Sequence, residues 1–147
     1  MGVGPLSVDQ VTFRIFAALC AVLILKNLAL AVLTAAARML GRAWLNPEDA
    51  RLLGGEVKVD ERVERVRRAH QNSLENDPLF LIAGLLYLLV GAPESGMQAY
   101  GYTYVLARLA HAAFYVAGLQ PFRTASFLVG WLACVGMSVQ VLVKAFA

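Results

Sequence analysis

Two stretches of this chain leave almost nothing for water to solvate. Thr124 to Val143 carries no formal charge, and Ile15 to Ala37 carries one, Lys26. A helix of about 20 apolar residues crosses the roughly 30 Å hydrocarbon core of a bilayer, and both stretches reach that length. Two further segments extend the pattern: Ser95 to Phe122, with Arg108 as its one formal charge, and the shorter uncharged segment Pro78 to Pro93. The last reaches span length only if the polar segment before it continues the same helix. All four are Leu/Ala-rich and lack the period-two alternation of a barrel, so they are read as helices. At 59% hydrophobic and 16% charged, the chain departs from a soluble domain, which is nearer half apolar and a quarter charged. The expectation is a single-domain, all-α integral membrane protein over residues 1–147, a four-helix bundle. Its spans cover about 12–40, 61–91, 96–119 and 123–145, with a loop at about 41–60. Ala35-Ala36-Ala37 resembles a leader cleavage site, but the apolar run is about twice a leader's length and Lys26 interrupts it. The first segment is therefore read as a span.

The charges are placed as unevenly as the apolar residues. Most of them fall between positions 38 and 77, and everything after Asp77 holds only Glu94, Arg108, Arg123 and Lys144. A net charge of +3 spread in this way is no basic patch, and nucleic acid is excluded as a partner. Nine of the 13 Lys/Arg fall in the first and third connections and their flanks, against Arg14 and Lys144 on the other side. That bias places those connections in the cytoplasm and both termini across the membrane.

The second span begins outside the bilayer. Asp60 suits an N-cap, and Glu61 and Glu64 suit the positive end of a helix. Continued to Gly91, the helix is about 46 Å long, so part of it projects beyond the hydrocarbon. Pro78 removes the hydrogen bond to Leu74 and should bend it near the interface.

Two polar stripes run into this apolar frame. Glu61, Arg65, Arg68, Asn72 and Glu75 share one face of the second helix, and Tyr104, Arg108, His111 and Tyr115 share one face of the third. The outer part of the first stripe reads equally as local ion pairs, Glu61 with Arg65 and Glu64 with Arg68. Deeper in, a polar group needs a partner or a role. Arg108 has two readings: a structural partner for a carboxylate such as Glu75, or part of a polar cavity. His111 alone would be a bundle hydrogen bond, and Tyr115 an interfacial aromatic. Together the stripes suggest a cavity open to the cytoplasm and suited to an anionic, zwitterionic ligand. Lys26 and Asn27 are either a buried polar contact or cavity-lining groups.

Other chemistry is missing from the sequence. There is no HExxH, CxxC, P-loop or GxSxG, and two histidines at these positions make no metal site. Cys20 and Cys134 lie in apolar spans and are read as packed thiols. Gly130, Cys134 and Ser138 form a small-residue ridge suited to close helix packing within the chain.

The run Asn46-Pro47-Glu48-Asp49-Ala50, the segment from Glu61 to Asn76, and Arg108-Leu109-Ala110-His111 followed by Tyr115 and Arg123 resemble the MAPEG family. These are the membrane-associated proteins of eicosanoid and glutathione metabolism, and the likeness is nearest the microsomal glutathione transferase and prostaglandin E synthase branch. The resemblance implies a homotrimer with glutathione sites between neighbouring subunits, open to the cytoplasm, in the endoplasmic reticulum or a bacterial inner membrane. It implies that Arg68, Asn72, Glu75 and Tyr115 hold the tripeptide, with His111 alongside, Arg38 contributing and Arg108 supporting the polar layer. Arg123, from the adjoining subunit, would face the thiol, with Thr124 or Ser126 as a hydroxyl donor to the sulfur. Asp49 matches an acidic position of the prostaglandin synthases, and reads equally as a cap or loop ion pair.

The implied chemistry is coherent. Guanidinium groups and a carboxylate complement glutathione's two carboxylates and its ammonium, and a nearby cation favours the thiolate. That thiolate would attack a lipophilic electrophile dissolved in the bilayer or reduce a lipid hydroperoxide. Phe127 stands where the prostaglandin synthases carry tyrosine, Gln71 where they carry arginine, and Ser73 where the branch carries aspartate. These departures favour a general transferase or peroxidase over a prostaglandin E synthase-like isomerase. A binding or scaffold protein that keeps the fold without the chemistry is the reading from another class.

Overall fold

The computed structural model describes residues 8–147 and is almost wholly helical. Helix α1 (Gln10–Gly41) starts at Asp9, whose carboxylate accepts from the Thr12 backbone N–H and hydroxyl, both at 2.7 Å. Those bonds satisfy a donor that a helix start otherwise leaves open. The helix ends at Arg42, in the left-handed region at φ 44°.

The connection expected only as a loop has structure of its own. Strand β1 (Ala43–Trp44), helix α2 (Pro47–Leu53) and strand β2 (Glu56–Val57) follow, and the two strands pair in parallel with Ala43 opposite Glu56. Trp44 Nε1 donates to the Gly54 carbonyl at 3.0 Å. Gly55, at φ 131°, brings the chain so close to Arg42 that a Cβ would lie 2.6 Å from its carbonyl oxygen. Such short pairing carries no periodicity signal, which is why the sequence conceals it.

Helix α3 (Glu61–Leu89) is capped by Asp60, which accepts from the N–H groups of Arg62 and Val63 at 2.8 and 3.3 Å. It runs through Pro78 as one helix. Helices α4 (Glu94–Ala117) and α5 (Gln120–Phe146) form a tight pair joined through Gly118, left-handed at φ 74°, and Leu119. Pro121 in the first turn of α5 sits where a missing N–H costs nothing.

Helix α4 packs along α5 and α1 along α3, and α3 and α4 meet between them. The interior holds Phe16, Leu23, Phe80, Tyr87, Met97 and Met137. Phe80 and Tyr104 stack with ring centroids 4.1 Å apart. Gly84 lets α1 close onto α3, because a Cβ there would run into the Phe16 ring. Gly130 packs onto α4, where a Cβ would lie 3.4 Å from Arg108 Cδ, at the edge of ordinary contact. The small-residue ridge is thus used within the chain at that position.

The outer faces remain apolar. Leu25, Leu28 and Val32 on α1, Leu79 and Ile82 on α3, and Leu132 and Val143 on α5 are exposed. Helices α1 and α5 are long and apolar enough to cross a bilayer. Helix α3 falls short of that standard because its first half is charged, and α4 because it carries Glu94, Arg108 and several polar residues.

Candidate functional site

A buried carboxylate that neither stripe contained organises the interior. Asp77 is 2% exposed, on the buried α3 face shared by Ala69, Ser73 and Phe80. Its Oδ2 accepts from Lys26 Nζ at 2.7 Å and Asn27 Nδ2 at 2.9 Å. Its Oδ1 accepts from the Tyr104 hydroxyl at 3.3 Å and Arg108 Nε at 3.4 Å. Lys26 Nζ also donates to Ser73 Oγ at 3.1 Å. One carboxylate therefore ties α1, α3 and α4 together and serves two basic side chains, as a charge removed from water requires. This resolves Lys26 and Asn27 as buried polar contacts.

Arg108 does have a carboxylate partner, as one of its two readings held, but that partner is Asp77 and not Glu75. Glu75 is exposed and accepts from Gln71 Nε2 at 3.1 Å. Residues 75 and 77 lie about 200° apart around a helix, so one faces out when the other faces in. The signal was present in the sequence: Ser73 and Asp77 are one turn apart on a face continuing into Phe80 and Gly84. From α4, Arg108 Nη2 donates to the Asn72 carbonyl at 3.1 Å and to Asn72 Oδ1 at 2.8 Å. Of the deep polar residues on the expected stripes, Asn72 and Arg108 do meet.

A second cluster forms where α4 turns into α5. The Arg123 guanidinium lies over the Tyr115 ring, 4.5 Å from its centroid. His111 Nδ1 is 2.9 Å from the Arg123 carbonyl. A carbonyl only accepts, so Nδ1 carries the proton and Nε2 presents a lone pair. Nε2 is buried and has no partner among the described residues. Tyr115 packs edge-on to His111, and the Phe127 ring lies 5.8 Å from it. The resemblance implied Arg123 from an adjoining subunit; here it joins His111 and Tyr115 within its own chain. The short connection through Gly118 and Leu119 is the reason, since it lays the first turn of α5 beside the last turn of α4.

The remaining expected residues lie nearer the surface. Arg68, Glu75 and Thr124 are exposed; Arg38, Asn72, Tyr115, Arg123 and Asp49 are half-buried. Arg38 Nε and Arg108 Nη1 are buried without a partner among the described residues. Ser126 donates to the Phe122 and Arg123 carbonyls at 2.7 and 3.0 Å, so its hydroxyl is turned to the backbone. Asp49 accepts from Asn46 Nδ2 at 3.3 Å inside α2, which packs on β1 and β2 and apart from both clusters. Glu61 pairs with Arg65 at 2.9 Å as expected, whereas Glu64 pairs with Arg67 at 2.7 Å in place of Arg68. The hydrogen bond from Arg67 holds the Glu64 carboxyl below its ordinary range.

A groove of about 400 Å³ runs between α3 and α5, lined by Leu79, Leu86, Phe127 and Trp131 together with Asn76 and Arg108. Apolar walls with a few polar groups suit a lipophilic small molecule.

Known proteins place the chain in a family. A profile of the MAPEG family matches residues 16–143. Human microsomal glutathione S-transferase 1 is 38% identical over 141 residues, covering 91% of each chain. The pig protein of that name is 37% identical over 137 residues, covering 88% of each. Horse prostaglandin E synthase is 35% identical over 126 residues, covering 84% of this chain and 82% of the synthase. Matched over nearly its whole length, and with helices built to cross a bilayer, the chain belongs to the MAPEG family of membrane proteins.

Proposed function

We propose that this protein is a membrane-bound glutathione transferase that uses the thiolate of glutathione against lipophilic electrophiles. The observation that carries the reading is the cationic cluster at the α4–α5 turn: Arg123 over Tyr115, with His111 bonded to its carbonyl. The relatives named as glutathione S-transferases support the choice of thiol. The donor set fits an anionic tripeptide. Arg38 Nε and Arg108 Nη1 lack partners among the described residues, and Arg68 and Glu75 are exposed with no cross-helix partner there.

In this reading Arg38, Arg68, Asn72, Glu75 and Tyr115 hold the tripeptide, and Arg108 supports them from within. Glutathione supplies a thiol whose deprotonated sulfur is the nucleophile. Arg123 favours the thiolate by charge, as a guanidinium does beside any ionising thiol, and the exposed Thr124 hydroxyl is a donor for the sulfur. Sulfur bonds to the electrophilic carbon, the leaving group departs with the electron pair, and the thiol proton passes to solvent. Reduction of lipid hydroperoxides is a second activity: the thiolate attacks the terminal oxygen, the O–O bond breaks to release the lipid alcohol, and a second glutathione takes the oxidised sulfur to the disulfide with loss of water. Asp49, bonded within α2, is left as a loop contact. Phe127 puts an apolar ring beside His111, where the resemblance has the prostaglandin synthases carry tyrosine, and this supports a transferase over an isomerase.

The molecule works as a homotrimer of four-span subunits, its basic end in the cytoplasm, with each site completed by a neighbour. The exposed Arg68–Glu75 face and the exposed apolar flanks of α1, α3 and α5 support this assembly. The test is turnover. Detergent-purified protein is expected to conjugate glutathione to a chlorinated dinitrobenzene and to reduce a lipid hydroperoxide. Glutathione binding without either reaction would instead make it a scaffold of the same fold.

A further inference from the structure

We infer that Asp77 is a positioning residue for the ligand site, acting through Arg108 on the side-chain amide of Asn72. The inference rests on the proposed glutathione site and names a residue in it that neither stripe contains. A guanidinium donates hydrogen bonds and cannot accept them, so the Asn72 atom 2.8 Å from Arg108 Nη2 is the amide oxygen. The same guanidinium nitrogen bonds the Asn72 backbone carbonyl at 3.1 Å. The amide is thereby held with its oxygen towards the bundle interior and its NH2 away from Arg108. Asn72 is half-buried, and its NH2 has no partner among the described residues. It is presented as a donor to a carboxylate or carbonyl of the bound tripeptide.

Arg108 can hold that amide only if it is itself held. Its Nε donates to Asp77 Oδ1, and the Asp77 carboxylate is fixed from the other side by Lys26 and Asn27 on α1. The chain of contacts runs from α1 through Asp77 and Arg108 to Asn72, each link buried or half-buried and charge-assisted, two of them ion pairs. Released from Asp77, the guanidinium can turn, and the Asn72 amide is free to flip its oxygen towards an anionic ligand. The geometry also shows where the carboxylate could be moved. Ser73 lies one turn earlier on the same face, with its Oγ 3.1 Å from Lys26 Nζ.

The experiment compares glutathione Kd, KM and kcat for purified protein in detergent, using wild type, Asp77→Asn, Asp77→Asn with Ser73→Asp, and Asn72→Ala with and without Asp77→Asn. Asp77→Asn is expected to raise Kd and KM about tenfold, the worth of a lost charge-assisted bond, with kcat changed far less. Ser73→Asp is expected to restore affinity, or to restore folding if Asp77→Asn alone does not fold. In the Asn72→Ala background, Asp77→Asn is expected to add less than about twofold, because both changes remove one interaction. A folded Asp77→Asn protein with wild-type affinity would overturn the inference. So would failure of Ser73→Asp to restore the doubly substituted protein, or full additivity with Asn72→Ala. Absence of glutathione binding by wild type would overturn the proposed site, and this inference with it.

Discussion

Asp77 shows how two residues can change what a helix face means. Of the polar residues that stand out along α3 by spacing, Arg68 and Glu75 are exposed while Asn72 is half-buried against Arg108, and the carboxylate that organises the interior lies between them and Pro78. Counting charges finds it; deciding that it faces inward requires knowing that Ser73 and Phe80 do. Ser73 stands where the resemblance leads one to expect aspartate, and Asp77 supplies a carboxylate one turn along, still within reach of Lys26. Because Lys26 and Arg108 would be left buried and unpaired, Asp77→Ala is expected to cost about 3–5 kcal/mol in detergent unfolding measurements. Replacing the exposed Glu75 with alanine should change stability by less than about 0.5 kcal/mol. A small loss at Asp77 would mean that those bonds do not hold the bundle together.

The elements were mostly legible, and for physical reasons. The long helices α1, α4 and α5 lie along apolar runs and α3 along the charged segment before Pro78, and Asp60 marks the start of α3 because a helix cap demands a particular chemistry. The pairing of β1 with β2 was not legible, since strands this short carry no pattern. Which helices touch was not legible either, although the glycines record it. Gly84→Leu is expected to force α1 from α3 through Phe16 and to lower stability by about 1–3 kcal/mol, read as a fall in unfolding temperature. At the exposed start of α3, Glu64 contributes through a carboxyl whose folded pKa lies below its unfolded value. That contribution is present above the unfolded value of about 4.3 and is lost as pH falls through the folded one. Thermal unfolding of Glu64→Gln should therefore fall below wild type at about pH 7, and the gap should close as pH falls through the folded pKa.

At the scale of the molecule, the proposed site is half open in a single chain. Arg123, Tyr115 and His111 are gathered at one turn, while Arg68 and Glu75 face outward without a partner from another described helix. Two inactive subunits, one with Arg68→Ala and one with Arg123→Ala, should regain activity when co-expressed if each site draws on two chains. Mass measurement of the detergent complex should give three copies. No recovery on mixing would place the whole site within one subunit. Beneath the assembly lies the claim that Arg123 stabilises a glutathione thiolate at the membrane boundary. The most direct measurement is the ultraviolet thiolate absorbance that develops when glutathione is added to the purified protein at neutral pH. A saturable band is expected in wild type, lost in Arg123→Ala while the helical content is unchanged; no band in wild type, or an equal band in the folded variant, would contradict the claim.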